Sequence, residues 1–179
     1  FDLNFDWSFY NRTVDIFSNG MNAEFLYSQH VVTYGAVPEG KEKVRFTTNH
    51  DQCAWDGTAL NIYGSLDASL AAFAATLFYP GVPLLYTGQE IGWNVQIPFF
   101  SNSLINWNNG ASTLESYKKL MSAYVNNEEF KLGTLNNYSS SDIICVSREI
   151  SGNSAWCMVN TRNTNLSFNL PLDLQNFIG

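Results

Sequence analysis

Apolar and polar residues alternate at the start of the chain, where Leu3, Phe5, Trp7 and Phe9 share one side of FDLNFDWSFY. This period of two predicts a half-buried strand or extended segment. The pattern turns helical over residues 22–37. A short strand, Lys43 to Thr48 (KVRFTT), then runs directly into Asn49-His50-Asp51. That polar triplet therefore sits at the strand's C-terminal end. Residues 66–79 (LDASLAAFAATLFY) place Leu66, Leu70, Phe73, Leu77 and Phe78 on one helix face, with Ser65 as N-cap and Pro80-Gly81 as the stop. The run Val82 to Tyr86 (VPLLY) is short and almost uniformly apolar, as expected of a strand covered on both sides, and it leads into Gly88-Gln89-Glu90.

Two strands joined through one helix form a βαβ crossover, which makes them parallel and brings both polar loops to one sheet edge. Ligands bind at that edge in parallel α/β folds. A later helix, roughly Leu114 to Asn126, turns Leu120, Met121, Tyr124 and Val125 toward the sheet. After Glu129 the texture becomes β-rich: Asp142 to Glu149, Ala155 to Asn160 and Asn165 to Leu170 read as strands, and Gly152-Asn153 reads as the turn of a hairpin. In that register Cys145 opposes Asn160 and Cys157 opposes Arg148, so the two cysteines fall on opposite faces. A slip of one residue would reverse this. The expected fold is thus α/β over residues 1–129 followed by a small all-β part over residues 130–179.

Composition narrows the function classes. With 45% hydrophobic and 15% aromatic residues among 179, the chain carries enough apolar material for a core. Nine Lys and Arg against 16 Asp and Glu, without a basic run, exclude a nucleic-acid partner and favour a neutral substrate. Abundant Trp, Tyr and Phe beside Asn, Ser and Thr offer what a sugar-binding surface needs, although aromatics serve the core more often. Cys53, Cys145 and Cys157 lack metal spacing, so neither a metal site nor a disulfide framework is expected. No apolar run is long enough for a transmembrane segment. The sequence starts at Phe1 without an initiator Met, a basic n-region or an apolar h-region, so any export signal is expected to have been removed or to lie upstream.

His50 and Asp51 are the best candidate site, and Trp55, Tyr86 and Trp93 would line its mouth if the strands curve into a barrel. Strand-end carboxylates often only tie loops down, so the pair alone leaves both readings open. Glu90 is the other carboxylate on that edge and could be paired with Asp51 as the two acids of a glycosidase. No nucleophile elbow, phosphate loop or His-rich metal motif is present, and the only histidines are His30 and His50. His30, within a helical stretch, reads as a surface or core residue.

RFTTNHD at 45–51 resembles the strand-seven signature of the α-amylase family, glycoside hydrolase family thirteen. GVPLLYTGQEIG at 81–92 is similar to its strand-eight pattern, and FDLNFDWSFYN at 1–11 to the stretch entering strand six. IPFF and INW within 97–107, KLGTL at 131–135, and the ICVSRE and VNT runs continue the likeness in order.

This resemblance implies the last three strand-helix units of a (β/α)8 TIM barrel over residues 1–129, then a truncated C-terminal β-domain over residues 130–179. It implies retaining hydrolysis of α-glucosidic bonds in starch-like polysaccharides or maltooligosaccharides. Asp51 matches the family's transition-state stabiliser and His50 its sugar-binding neighbour. Trp55 and Trp93 are substrate-stacking candidates, with capping of the barrel as the alternative role for such loop aromatics. Glu90, which the resemblance removes from the catalytic pair, joins Tyr86 and Gly88 in supporting the barrel mouth. The family's nucleophile and acid/base would precede Phe1, and a complete barrel needs about 250 residues. The chain therefore reads as a fragment, inactive alone, whose partners are an α-glucan and either the missing half of the barrel or a second copy. Its ends, Phe177-Ile178-Gly179 included, look cut short of the family's sandwich. No metal or cofactor is expected in this chain, and calcium would belong to the full-length enzyme. A secreted, periplasmic or cell-surface setting is favoured over the cytoplasm. A non-catalytic carbohydrate-binding module and a structural module assembling through sheet edges are the competing readings.

Overall fold

The computed structural model describes residues 1–178; Gly179, the last residue of the expected β part, lies outside them. The opening alternation yields only a three-residue strand, β1 (Leu3–Phe5), because Asp6 ends it. The Asp6 carboxylate accepts the Phe9 amide at 3.1 Å and starts helix α1 (Trp7–Asn19). Phe9, Thr13 and Ile16 are buried at helical spacing. The extended reading of Trp7 and Phe9 is thus corrected: an N-cap aspartate, which satisfies an orphan amide of the first turn, outweighs a two-fold pattern only four apolar residues long.

Helix α2 (Glu24–Tyr34) precedes strand β2 (Glu42–Phe46). Three helices, not the expected one, then follow: α3 (His50–Trp55), α4 (Ala59–Tyr63) and α5 (Leu66–Phe78), leading to β3 (Val82–Leu84). The crossover still delivers parallel strands in the order β1-β2-β3, with Val44 paired to both Phe5 and Val82. Ser65 caps α5 by accepting the Ala68 amide at 3.1 Å, and Ala72, Phe73, Ala75, Leu77 and Phe78 are buried. β3 was expected to be covered on both sides, but it is an edge strand whose Val82 is exposed.

Helix α6 (Ala111–Asn126) buries Tyr117 and rests Leu120, Met121 and Tyr124 on the core. Val125, expected to face inward, is exposed, since one step past Tyr124 rotates it off the packed face. A one-turn helix α7 (Glu129–Leu132) leads into an antiparallel sheet, β4 (Thr134–Asn137), β5 (Ile143–Ile150) and β6 (Asn153–Asn160), in that order. The hairpin turns at Ser151-Gly152, whose φ values of 53° and 83° are those of a type I′ turn. Cys145 therefore opposes Met158, and Val146 opposes Cys157. The register differs from the expected one by an even step, so the cysteines keep to opposite faces, and all three are buried and free. The expected strand at 165–170 does not form. The third strand is β4, and helix α8 (Leu172–Ile178) begins after Pro171.

One hydrophobic core joins the two sheets. Phe9, Ile16 and Leu26 meet Phe73, Leu77 and Tyr79, and this cluster continues into Ile144, Val146, Cys157 and Val159. Two arginines of the β part close the ends of helices. Arg148, buried, donates to Phe78 O at 3.1 Å and Gly133 O at 2.8 Å. Arg162 donates to Ile16 O at 3.1 Å and Met21 O at 2.8 Å while paired with Asp142 at 2.7 Å. Carbonyls in the last turn of a helix lack intrahelical partners, which is where guanidinium donors have most to satisfy.

Beneath β2 lies a buried polar knot. Arg45 is paired with Asp6 at 2.5 Å, donates to Pro80 O and to His30 Nδ1 (both 2.9 Å), and stacks 3.8 Å over the Phe9 ring. His30 is thus a core histidine, and since its Nδ1 accepts from a guanidinium the imidazole is neutral. Burial, then the charges of Arg45 and Arg148, lower its pKa to about 3. An unfolded histidine titrates near 6.5. Between these values the unfolded chain binds a proton that the folded chain refuses, so stability falls as pH drops from about 6.5 toward 3. His30→Gln retains an acceptor for Arg45 without this titration. Urea midpoints at several pH values should show the native chain losing more stability than the variant between pH 7 and 4.5; parallel losses would reject the assignment.

Candidate active site

β2 ends at Phe46, and the next three residues, Thr47, Thr48 and Asn49, are all buried. Asn49 lies in extended backbone, and its side-chain oxygen accepts the Gln52 amide at 3.1 Å, which turns the chain abruptly into α3. His50 and Asp51 become first-turn residues at the C-terminal edge of the parallel sheet. Their side chains are 51% and 41% exposed, and His50 Nε2 stands 3.6 Å from Asp51 Oδ1, beyond hydrogen-bond range. The carboxylate is thus not tied to its neighbour and is open to a ligand.

The imidazole is oriented by aromatic rings. Phe5 of β1 lies 6.3 Å from it and Phe99 lies 5.8 Å away, edge-on. Phe99 meets the Trp55 ring at the same 5.8 Å. Trp55, at the end of α3, is 68% exposed. The loop that carries Phe99 is anchored to α3: Gln96 donates to Ala54 O and Trp55 O, and the Ile97 amide donates to Cys53 O.

The loop after β3 is bound to the same edge by Gln89. This buried side chain donates to Thr47 Oγ1 at 2.8 Å and to Tyr117 Oη at 3.1 Å, linking the ends of β2 and β3 to α6. Glu90 is half-buried, with one carboxylate oxygen enclosed and without a hydrogen-bond partner in the described residues. Tyr86 is half-buried, and burial, followed by Cys53, raises its pKa. Trp93 packs on Gly88, where the missing side chain leaves room for it; a Cβ there would lie 3.1 Å from Trp93 Cβ. Of the aromatics expected around the mouth, Trp55 alone stands beside His50 through a shared ring neighbour.

Sequence reasoning placed Asn49 and Gln89 in the polar loops of this edge but gave them no role, and it missed Phe5 and Phe99. Asn49 was legible, because Asn followed three residues later by Gln is the signature of a helix N-terminus. Phe99 was not, because nothing local indicates that a loop over forty residues downstream folds back onto α3. Among the described residues no three His, Cys, Asp or Glu side chains gather as a metal-ion cluster, and no helix is long and apolar enough to cross a membrane. A free carboxylate beside an imidazole, walled by rings and without a cation, suits a neutral polyhydroxyl ligand that acquires positive charge in reaction.

No protein-family model and no curated protein sequence matches the chain. Solved structures do match. The cyclic α-maltosyl-(1→6)-maltose hydrolase of Arthrobacter globiformis in its ligand-free form superposes with a TM-score of 0.76 at 18% identity, covering 89% of this chain and 37% of that one. A maltogenic α-amylase of Thermotoga neapolitana gives 0.74 at 20% identity, covering 90% and 38%. A cyclomaltodextrinase gives 0.78 at 18%, covering 89% and 28%. The chain therefore has the fold of a portion of these enzymes and spans well under half the length of each. The likeness read in the sequence to the α-amylase family is met at the level of fold.

Proposed function

We propose that this chain is part of a retaining, α-glucan-active glycoside hydrolase of the α-amylase type. In this reading residues 1–129 supply the last three strand-helix units of a (β/α)8 barrel and residues 130–179 open its C-terminal β-domain. Asp51 stabilises the transition state and His50 binds the sugar at the scissile bond. The observation that carries the reading is the open His50–Asp51 pair at the C-terminal end of β2, in a fold shared with enzymes named for maltose-containing substrates. One of them has been solved in complex with maltose. The nucleophile and acid/base belong to the remainder of the enzyme, which is the main partner of this chain and would also hold any calcium. The exposed Leu3 and Val82, on strands at the two edges of the parallel sheet, support such a partner. A polymeric α-glucan substrate would place the enzyme outside the cytoplasm or at the cell surface.

Proton NMR of the enzyme that contains this chain, acting on maltooligosaccharide, tests the proposal. The α-anomer should appear first, because two carboxylates in a retaining arrangement give a double displacement. First appearance of the β-anomer would overturn it. The purified 179-residue chain should release no reducing sugar by itself; sustained release would show that this chain holds the whole machinery.

A further inference from the structure

β2 pairs with β3 only as far as Phe46 and Leu84, so Thr47, Thr48 and Asn49 run on to α3 beyond the ladder. All three are nevertheless buried. Polar groups buried away from water need partners, and at Thr47 two other elements supply them. Tyr63 Oη of α4 donates to Thr47 O at 3.2 Å, and Gln89 Nε2 donates to Thr47 Oγ1 at 2.8 Å. Gln89 is itself held: its amide donates a second hydrogen bond, of 3.1 Å, to Tyr117 Oη, which shares one of 3.3 Å with Ser69 Oγ. The chain Ser69–Tyr117–Gln89–Thr47 thus ties α5 and α6 to the end of β2, and none of its four residues is more than 5% exposed. A primary amide suits its place there, because it offers two N–H donors from one uncharged group.

The consequence falls on the first turn of α3. His50 and Asp51 stand 3.6 Å apart and are not tied to one another, so their place is inherited from the backbone that enters the helix. The Asn49 cap fixes α3 relative to Asn49 alone, by accepting the Gln52 amide. What fixes Asn49 relative to the sheet is the anchored Thr47 two residues before it. We infer that Gln89, seated on Tyr117, is the positioning residue of the His50–Asp51 pair: it holds the strand end from which α3 starts and so sets where the Asp51 carboxylate stands. This role rests on the proposed function for the reaction that the pair serves. Displacing a reacting group by about 1 Å can lower a rate on the order of 10²-fold. Gln89→Met keeps the length of the side chain and removes both donors, while Tyr63 and the Asn49 cap remain, so a smaller displacement and a smaller loss follow.

The experiment uses the enzyme that contains this chain, with maltotriose as the probe. Gln89→Met should lower kcat about tenfold and leave KM within about twofold, because binding of the neutral sugar depends little on where Asp51 stands. Introduced into Asp51→Asn, the same change should lower kcat by less than about twofold more, since the group through which Gln89 acts is already gone. Tyr117→Phe keeps the ring in the core and removes one anchor of Gln89, so it should lower kcat about threefold. It carries the same comparison if Gln89→Met does not fold. An unchanged kcat, or equal fold losses with and without Asp51→Asn, would overturn the positioning role and leave the proposed function standing. The His50 ring gives a readout that needs no turnover. The Phe5 and Phe99 rings lie 6.3 and 5.8 Å from it, so its proton NMR resonance, identified by its loss in His50→Gln, reports where the pair stands. If the parent hydrolyses no α-glucan, the proposed function fails and this resonance decides: a shift in Gln89→Met, or in Tyr117→Phe, supports the positioning role, and an unmoved resonance overturns it.

Discussion

Asp51→Asn, introduced into the enzyme that contains this chain, is expected to lower kcat by about 10²–10³-fold while KM for maltooligosaccharides stays within a few-fold. The substitution keeps size and shape and removes only the charge. A ground-state sugar is neutral and loses little when the carboxylate becomes an amide. In the proposed reaction the oxocarbenium-like transition state would carry positive charge beside Asp51 and lose its counter-charge, so the penalty would fall on turnover. A thousandfold loss corresponds to about 4 kcal/mol of transition-state stabilisation. Folding should be untouched, since the Asp51 side chain is 41% exposed and His50 stands 3.6 Å away, beyond hydrogen-bond range. Steady-state kinetics beside a thermal melt separates the two effects. A kcat near that of the parent would remove Asp51 from the reaction, and a lowered melting temperature would recast it as a structural residue.

The largest effect on stability is expected from Asp6→Asn. Asp6 and Arg45 are both almost fully buried, at 2.5 Å from one another. Asparagine retains an oxygen that can accept the Phe9 amide, so the cap of α1 survives and the loss isolates the charge. Arg45 would then remain as a buried cation among Phe9, Tyr34 and His30, where burial already works against its charge and Asp6 is the largest opposing influence. Breaking a buried pair on one side costs about 3–5 kcal/mol. Domains of this kind have only about 5–15 kcal/mol in total. The urea midpoint of Asp6→Asn should therefore fall sharply. Asp6→Asn combined with Arg45→Met, which removes the stranded charge, should recover part of the loss. A double variant as unstable as the sum of its single changes would show that the two residues are not coupled.

The elements that were legible in the sequence are those with a strong local cause. Helix α5 was legible in full, from Ser65 as cap to Pro80 as stop, because both signals act within a few residues. The parallel relation of β2 and β3 followed from the length of chain between them, although that chain folds into three helices. The opposite facing of Cys145 and Cys157 survived a wrong turn assignment, because the true turn at Ser151-Gly152 shifts the pairing by an even step. Other readings failed where distant residues decide. Asn165 to Leu170 has the alternation of a strand, yet the third place in that sheet is taken by Thr134–Asn137, and alternation cannot specify which segment pairs with an edge. Trp7 and Phe9 alternate as in a strand, yet Asp6 turns them into a helix.

The placement of His50 and Asp51 at the end of β2 was legible in the sequence because a strand's end and a polar triplet are contiguous. By itself the sequence determined that this edge carries an imidazole beside a carboxylate, that two parallel strands present it, and that the chain has the makings of an α-amylase-type fold. Only the tertiary structure decided that His30 is a neutral core residue under Arg45, that Arg148 and Arg162 fasten the β part to the ends of α5 and α1, and that Phe99 stands between His50 and Trp55. The reason is range. Caps, stops and strand ends are set by neighbours along the chain, whereas burial of a charge or the fold-back of a loop depends on groups brought together from distant parts of it.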